Sequence, residues 1–518
     1  MKTAIQFLLI ILLPLLGTAQ TWTKSFPKQV NLIKMTEAGV AIVGTDDALY
    51  GIDKEGNILW QNEKLRKVEE NRVEVLSGSE LIFVSDKGLL ARNRVINVLT
   101  GKEYADSEVK GANVFGCYVV HGANQIHVNT GQNIEAWDIN TNQKLYELAH
   151  NAPYGISTSK SASLTVTFAA NQPIVYTSST SGIMHLGLGQ LSEFDFQTGK
   201  AKWSFDFSPY KLRKPSKDKS DLPSMPHTGF GVMKMDPASK TLYFPFRDML
   251  IAVDATSGQA KWDPKANRIG KVRDLYVTDQ GVLVLTLAGL QLIDAKSGAA
   301  KWKKPLKVKG ADEALILQEG NDFYTVSKKY LVKVDVAQGK STDLTDKIKF
   351  EGGEVFSKMQ ILGDQIVLSG QQNVVGIDKS NGKILYQHYF KAPGSSLLTI
   401  TQNIALAAVA AAATANSQRI GQQNANALGR YQYYSYTPAV MESGGSATSQ
   451  SSNYMYISTK FKDTDAKGFG LARVDKESGK LMDKIVVGDR DPVYATDEEA
   501  GLVYFKSDKS EIACKAVE

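Results

Sequence analysis

The chain has 518 residues, of which 43% are hydrophobic and 22% charged, with a formal net charge of +6. This is an ordinary globular composition, and so small an excess spread over such a length does not argue for nucleic acid. Cys117 and Cys514 are its two cysteines, which excludes a disulfide framework and leaves stability to packing.

The sequence opens with Met1-Lys2, an apolar run from Phe7 to Leu16, and then "GTAQ". A short positive start, a brief apolar core and small residues at Gly17 and Ala19 predict a signal peptide, residues 1–19, cleaved after Ala19. The run is too short to span a bilayer, which takes about 20 apolar residues. No cysteine lies near the cleavage point to carry a lipid. The expectation is an exported, soluble protein of the periplasm or the extracellular space.

A thirteen-residue phrase then recurs along the chain. It reads "LYGIDKEGNILW" from Leu49, "IEAWDINTNQKLY" from Ile134 and "LSEFDFQTGKAKW" from Leu191. Further copies are "LIAVDATSGQAKW" from Leu250, "LQLIDAKSGAAKW" from Leu290 and "VVGIDKSNGKILY" from Val374. "LVKVDVAQGK" from Leu331 and "LARVDKESGK" from Leu471 keep the first half. Because a catalytic motif is needed once, the repetition is architectural. Each copy begins as a strand with two buried faces. An Asp then closes the strand, at Asp53, Asp138, Asp195, Asp254, Asp294, Asp335, Asp378 and Asp475, with Asn97 in the equivalent place. Its side chain can accept backbone N–H groups across a tight turn, while the following Gly supplies positive φ without steric cost. A return strand carries an aromatic, at Trp60, Tyr146, Trp203, Trp262, Trp302 and Tyr386.

Between phrases there is room for two more strands, and steps of 40 to 44 residues between the turn positions dominate. That is the period of a four-stranded propeller blade. After Gly479 three strands remain without a fourth, and "WTKSF" with Trp22 at the mature N-terminus supplies one. The expectation is a single closed all-β propeller over residues 20–518, with a closing blade shared by the two termini and aromatics between blades.

The phrase with Asp, Ser/Thr-Gly and Trp resembles the repeat of the pyrroloquinoline-quinone-like β-propellers. That family includes quinoprotein alcohol dehydrogenases and the propeller subunit of the outer-membrane barrel assembly machinery. The resemblance implies eight blades by the family norm, whereas counting hairpins here gives up to ten. The quinoproteins hold quinone and Ca²⁺ at the centre, often beside a pair of adjacent cysteines, and this chain has no such pair.

The search for chemistry returns no catalytic residue and no metal ligand set. The histidines, His121, His127, His150, His185, His227 and His388, show no H-x-H or H-E-x-x-H spacing. "DTDAKG" from Asp463 begins like a calcium loop, but Lys467 stands where an oxygen ligand is required. No cofactor is expected, and any cofactor-binding residues stay unknown. Two insertions break the period. Ser208 to His227 carries Lys211, Arg213, Lys214, Lys217 and Lys219, read as a solvated loop or a basic patch. Residues 403–452 begin Ala-rich, a helix-favouring composition, and turn Gly/Ser-rich. We expect this segment to join the first and second strands of one blade, on the face of the Asp-Gly turns. The function expected is a monomeric, non-enzymatic scaffold binding protein partners in the cell envelope. The alternatives are a divergent quinone-dependent dehydrogenase and a carbohydrate-binding propeller using Tyr431, Tyr433 and Tyr434.

Overall fold

The computed structural model describes residues 20–517 apart from 77, 85–93, 105–115, 121–122, 130–132, 150–174, 179, 186–190, 206–232, 247, 264–267, 271, 287, 309–315, 328, 355, 394–448, 451–452 and 463–466. The expected signal peptide, most of both insertions, the calcium-like turn and Tyr431, Tyr433 and Tyr434 lie outside the described residues.

Ten antiparallel sheets follow one another along the chain. Blades 1 to 10 start at Val30, Val73, Gly116, Val175, Lys234, Val272, Ile316, Lys358, Ser449 and Tyr494. Within each blade the strands pair in sequence order, so strand one lies at the axis and strand four at the rim. In blades 5 and 6 the fourth segment is reduced to isolated bridges, Val253 with Ala260 and Ile293 with Ala300. Blade 10 takes its outer strand, Gln20–Ser25, from the other end of the chain, where Trp22 pairs with Cys514. The units at Asn97 and Asp475 are genuine blades.

The second and third strands are apolar on both faces, as in Thr241–Phe246 and Met249–Asp254 of blade 5. A sheet buried on both faces needs a partner on each side, which radial stacking supplies. An apolar cluster accordingly fills every seam. Leu32, Trp60 and Val98 belong to the seam between blades 1 and 2, and Tyr456, Tyr494 and Val503 to that between blades 9 and 10. Phe26, Tyr50 and Tyr504 join blade 10 to blade 1. The ring therefore closes at ten, above the four to eight blades usual for propellers.

One expectation is corrected. The first strand of blade 9 is Ser449–Gln450, paired with Tyr454–Lys462, not a strand near Leu398. The long insertion thus ends at 448 and connects the outer strand of blade 8, Ile384–Tyr389, to the inner strand of blade 9. Its anchors lie on the face opposite the Asp-Gly turns, the same face as the anchors of the 208–227 segment. Strand pairing decided this: Ser449 and Gln450 sit in a polar stretch without alternation, and only a neighbouring strand marks them as sheet.

Candidate functional site

Each repeat Asp organises its own turn. Asp195 Oδ1 accepts the backbone N–H groups of Gln197 and Thr198 and the Thr198 hydroxyl, at 2.9 to 3.0 Å. Asp254 and Asp294 do the same with Ser257 and Ser297, and Asp138 with Thr141. Asp53 caps Glu55 and Asn57, Asp335 Gln338, Asp378 Ser380 and Asp475 Ser478. Asn97 repeats the pattern with an amide oxygen. The donated bonds favour the ionised form, so backbone donors hold the Asp195 and Asp294 carboxyls below their usual range.

The rim aromatics reach from one blade to the next. Trp22, Trp203 and Trp302 donate their indole N–H to the carbonyls of Lys54, Ala255 and Val336, at 2.8 to 3.0 Å. Trp60 does so to Val98, and the Tyr146 and Tyr386 hydroxyls to Phe196 and Lys476. In every case the acceptor is the residue just after the turn Asp or Asn of the following blade. The ring then lies over the turn glycine. A Cβ on Gly258 would meet the Trp203 ring at 2.5 Å, at a φ of +72° that already disfavours other residues. Trp262 lies in the seam between blades 5 and 6 but departs from this bonding scheme. It donates instead to Leu250 of its own blade and stacks on Tyr243. In blade 7 no rim aromatic exists, and Leu344 closes over Gly382 of blade 8. These residues hold the ring together.

Cys117 and Cys514 are free and buried, on the first strand of blade 3 and the third of blade 10. Burial pushes both thiols up, which removes thiolate reactivity. His127 is fully buried, bonded through Nε2 to Gln125 and Tyr146. Burial lowers it to about 3, so it is a neutral packing residue near pH 7. His388 is exposed beside Tyr386. Among the described residues no three His, Cys, Asp or Glu side chains converge.

Charged groups do gather where inner strands meet. Lys34 of blade 1 donates to the Val73 carbonyl of blade 2 at 2.6 Å, with Glu70 and Glu74 nearby. Burial lowers the Lys34 ammonium and the two carboxylates partly restore it. Burial also lifts Glu74 to about 7, against the pull of Lys34. Sequence reading missed this group because Lys34 and Glu74 sit 40 residues apart on strands brought together only by stacking.

The rim carries the second unusual feature. Among the described residues nine large apolar side chains are exposed, and eight of them lie on outer strands. They are Ile58 and Leu59 of blade 1, Leu145 of blade 3, Ile384 and Leu385 of blade 8, and Leu481, Met482 and Val486 of blade 9. Leu385 and Met482 are half in solvent, at 51% and 50%. Blades 8 and 9 are neighbours, and the free edge of each presents its apolar pair at the end next to the Asp turn.

A family profile described as outer membrane protein assembly factor BamB matches residues 17–205, 167–342 and 247–387. The chain belongs to that family. No curated protein matches it. Among solved structures it is similar to BamB from Moraxella catarrhalis, at 11% identity over 73% of this chain and 99% of that one, TM-score 0.35. It is also similar to the dihydro-heme d1 dehydrogenase NirN in complex with DHE, at 10% identity over 89% and 74%, TM-score 0.36. A computationally designed protein, Ika8, gives 11% identity over 71% and 98%, TM-score 0.32.

Proposed function

We propose that the protein is an exported, non-enzymatic scaffold of the cell envelope whose blade rims take up an extended segment of a protein partner. The observation that supports this is the exposed apolar side chains on the free edge strands, chiefly Ile384–Tyr389 and Leu481–Val486. An edge strand offers unpaired N–H and C=O groups to an incoming strand, and native proteins usually blunt such edges with charge or cover. Here the edge keeps Leu481 and Met482 in solvent. A partner adding a strand gains backbone hydrogen bonds from the edge and specificity from its apolar positions. Family membership agrees with an assembly role. Among the described residues no helix is long and apolar enough to cross a membrane.

The test is site-specific photocrosslinking in the native envelope, with the crosslinker at Met482 and, as control, at the exposed Lys240 of blade 5. One defined adduct is expected from Met482 and none from Lys240, and Leu481→Lys with Leu385→Lys should abolish it. Equal adducts from both positions would sink the rim reading, as would capture that persists in the double variant.

A further inference from the structure

From Ala295 to Val308 the chain carries five lysines, Lys296, Lys301, Lys303, Lys304 and Lys307, and no carboxylate. The formal net charge of the whole chain is +6, so this short stretch is far out of proportion. It forms the rim of blade 6, and there the outer chain leaves the sheet. Ile293 bridges Ala300 and Leu290 bridges Leu306, so six steps of the outer chain span three of the edge. In blade 7 the corresponding pairs, Asp335 with Lys340 and Val332 with Asp343, take three steps on each side. The surplus residues bulge from the rim as an arch, with Lys303, Lys304 and Pro305 exposed on it.

The arch is pinned at its base. Leu290 and Leu306 exchange both backbone hydrogen bonds, at 2.9 and 2.8 Å, and the buried Gln291 amide donates to the Trp302 carbonyl at 3.0 Å. Trp302, Leu306 and Val308 pack into the seam with blade 7, while all five lysines are exposed. Lys301 donates its ammonium to the Gln280 carbonyl at 2.8 Å. Among the described residues none of the five is ion-paired. Elsewhere on the ring lysines are met by carboxylates: Lys144 by Glu135 and Glu147, Lys202 by Glu193, and Lys333 by Asp322.

Lysine, proline and a bulge are also how proteins blunt a free sheet edge. Here Leu306 already closes the edge at Leu290 and Pro305 has no N–H to offer, so blunting does not call for five charges. Nor does the arch suit a peptide or a nucleic acid. It projects from the rim and has no regular ladder to which a strand could be added. No arginine supplies a bidentate fork. Its one aromatic, Trp302, is buried with its N–H on Val336, out of reach of a base. Lysines are compact charges on flexible stems, and they suit a partner whose negative charge is planar and diffuse. An anionic phospholipid layer is such a partner, worth about fivefold in affinity for each lysine near it.

We propose that the lysine arch on the rim of blade 6 docks the ring electrostatically on an anionic phospholipid surface. The test is sedimentation of the full chain with vesicles of phosphatidylglycerol and phosphatidylcholine in equal parts, and with vesicles of phosphatidylcholine alone. Binding to the anionic vesicles only is expected, falling steeply as salt is raised. Lys303→Glu, Lys304→Glu and Lys307→Glu combined should weaken it at least about tenfold. The same change of charge scattered over the exposed Lys28, Lys240 and Lys462, away from blade 6, should weaken it less than about threefold. Glutamate blunts an edge as lysine does, so thermal unfolding of the arch variant should match the parent. Lys303→Gln with Lys304→Gln adds no negative charge and should give an intermediate loss, which keeps the test available if the triple variant does not fold. No binding to the anionic vesicles, undiminished binding in the double variant, or an equal loss in the two triple variants overturns the proposal. So does binding of soluble polyglutamate without binding of the vesicles, which would make the arch a site for acidic peptides.

Discussion

Blades 8 and 9 place a lysine at the same step of the same turn and treat it in opposite ways. Lys379 follows Asp378, lies near the surface and is met by two carboxylates and the Gly363 carbonyl. Lys476 follows Asp475, is fully buried, and meets Gln360. The backbone is alike in both, with the turn N–H groups capped by the Asp and the glycine N–H bonded to the Asp carbonyl at 2.9 Å. The repeat therefore dictates the main chain and leaves the side chain after the Asp free. That freedom is where one blade can differ from the rest.

Four measurements test or sharpen this comparison. The largest effect concerns the seam device that both turns presuppose. Trp302 is buried and donates to Val336, so Trp302→Ala should cost about 3–5 kcal/mol in denaturant unfolding, as for buried aromatics generally. A cost below about 1 kcal/mol would mean that docking onto the turn carbonyl does not hold the seams.

Next, Lys476→Met should stabilise the protein by about 1–2 kcal/mol at pH 7, because replacing a fully buried ammonium by hydrocarbon of similar length is often favourable. Destabilisation would show Lys476 to be a structural lysine like Lys379.

Glu74 extends the comparison to a buried carboxyl. Folded, it keeps its proton up to about pH 7, whereas an unfolded glutamate releases it near pH 4.3. Between these values the folded state binds more protons, so its contribution to stability falls as pH rises. Glu74→Gln should match the parent near pH 4 and exceed it by about 1–2 kcal/mol at pH 8. Stability profiles of equal slope across that window would place Glu74 in solvent.

The smallest effect is expected from Lys379→Met. Exposed ion pairs contribute little and are screened by salt, so the unfolding midpoint should stay within error at low and high salt. A clear loss would make Lys379 a seam residue and dissolve the contrast with Lys476.

What could be read from the sequence was everything that repeats. Asp254 and Asp294 marked the turns, Trp203 and Trp302 the rim strands, and Trp22 the closing strand, because the same local chemistry recurs at a nearly constant step. Closure followed, while the count was left between the eight blades of the family norm and the ten given by nine hairpins and the closing blade; the structure has ten. Tertiary structure decided what does not repeat. Pairing of Ser449–Gln450 with the next strand moved the anchors of the long insertion to the opposite face, and within the seam of blades 5 and 6 the Trp262 N–H turned back to its own sheet. Above all, Gln360 and Lys476 stand 116 residues apart, each unremarkable in its own stretch of chain. Only the stacking of blade 9 on blade 8 brings the Lys476 ammonium to Gln360 and buries it, because burial belongs to the assembled seam and not to either strand alone.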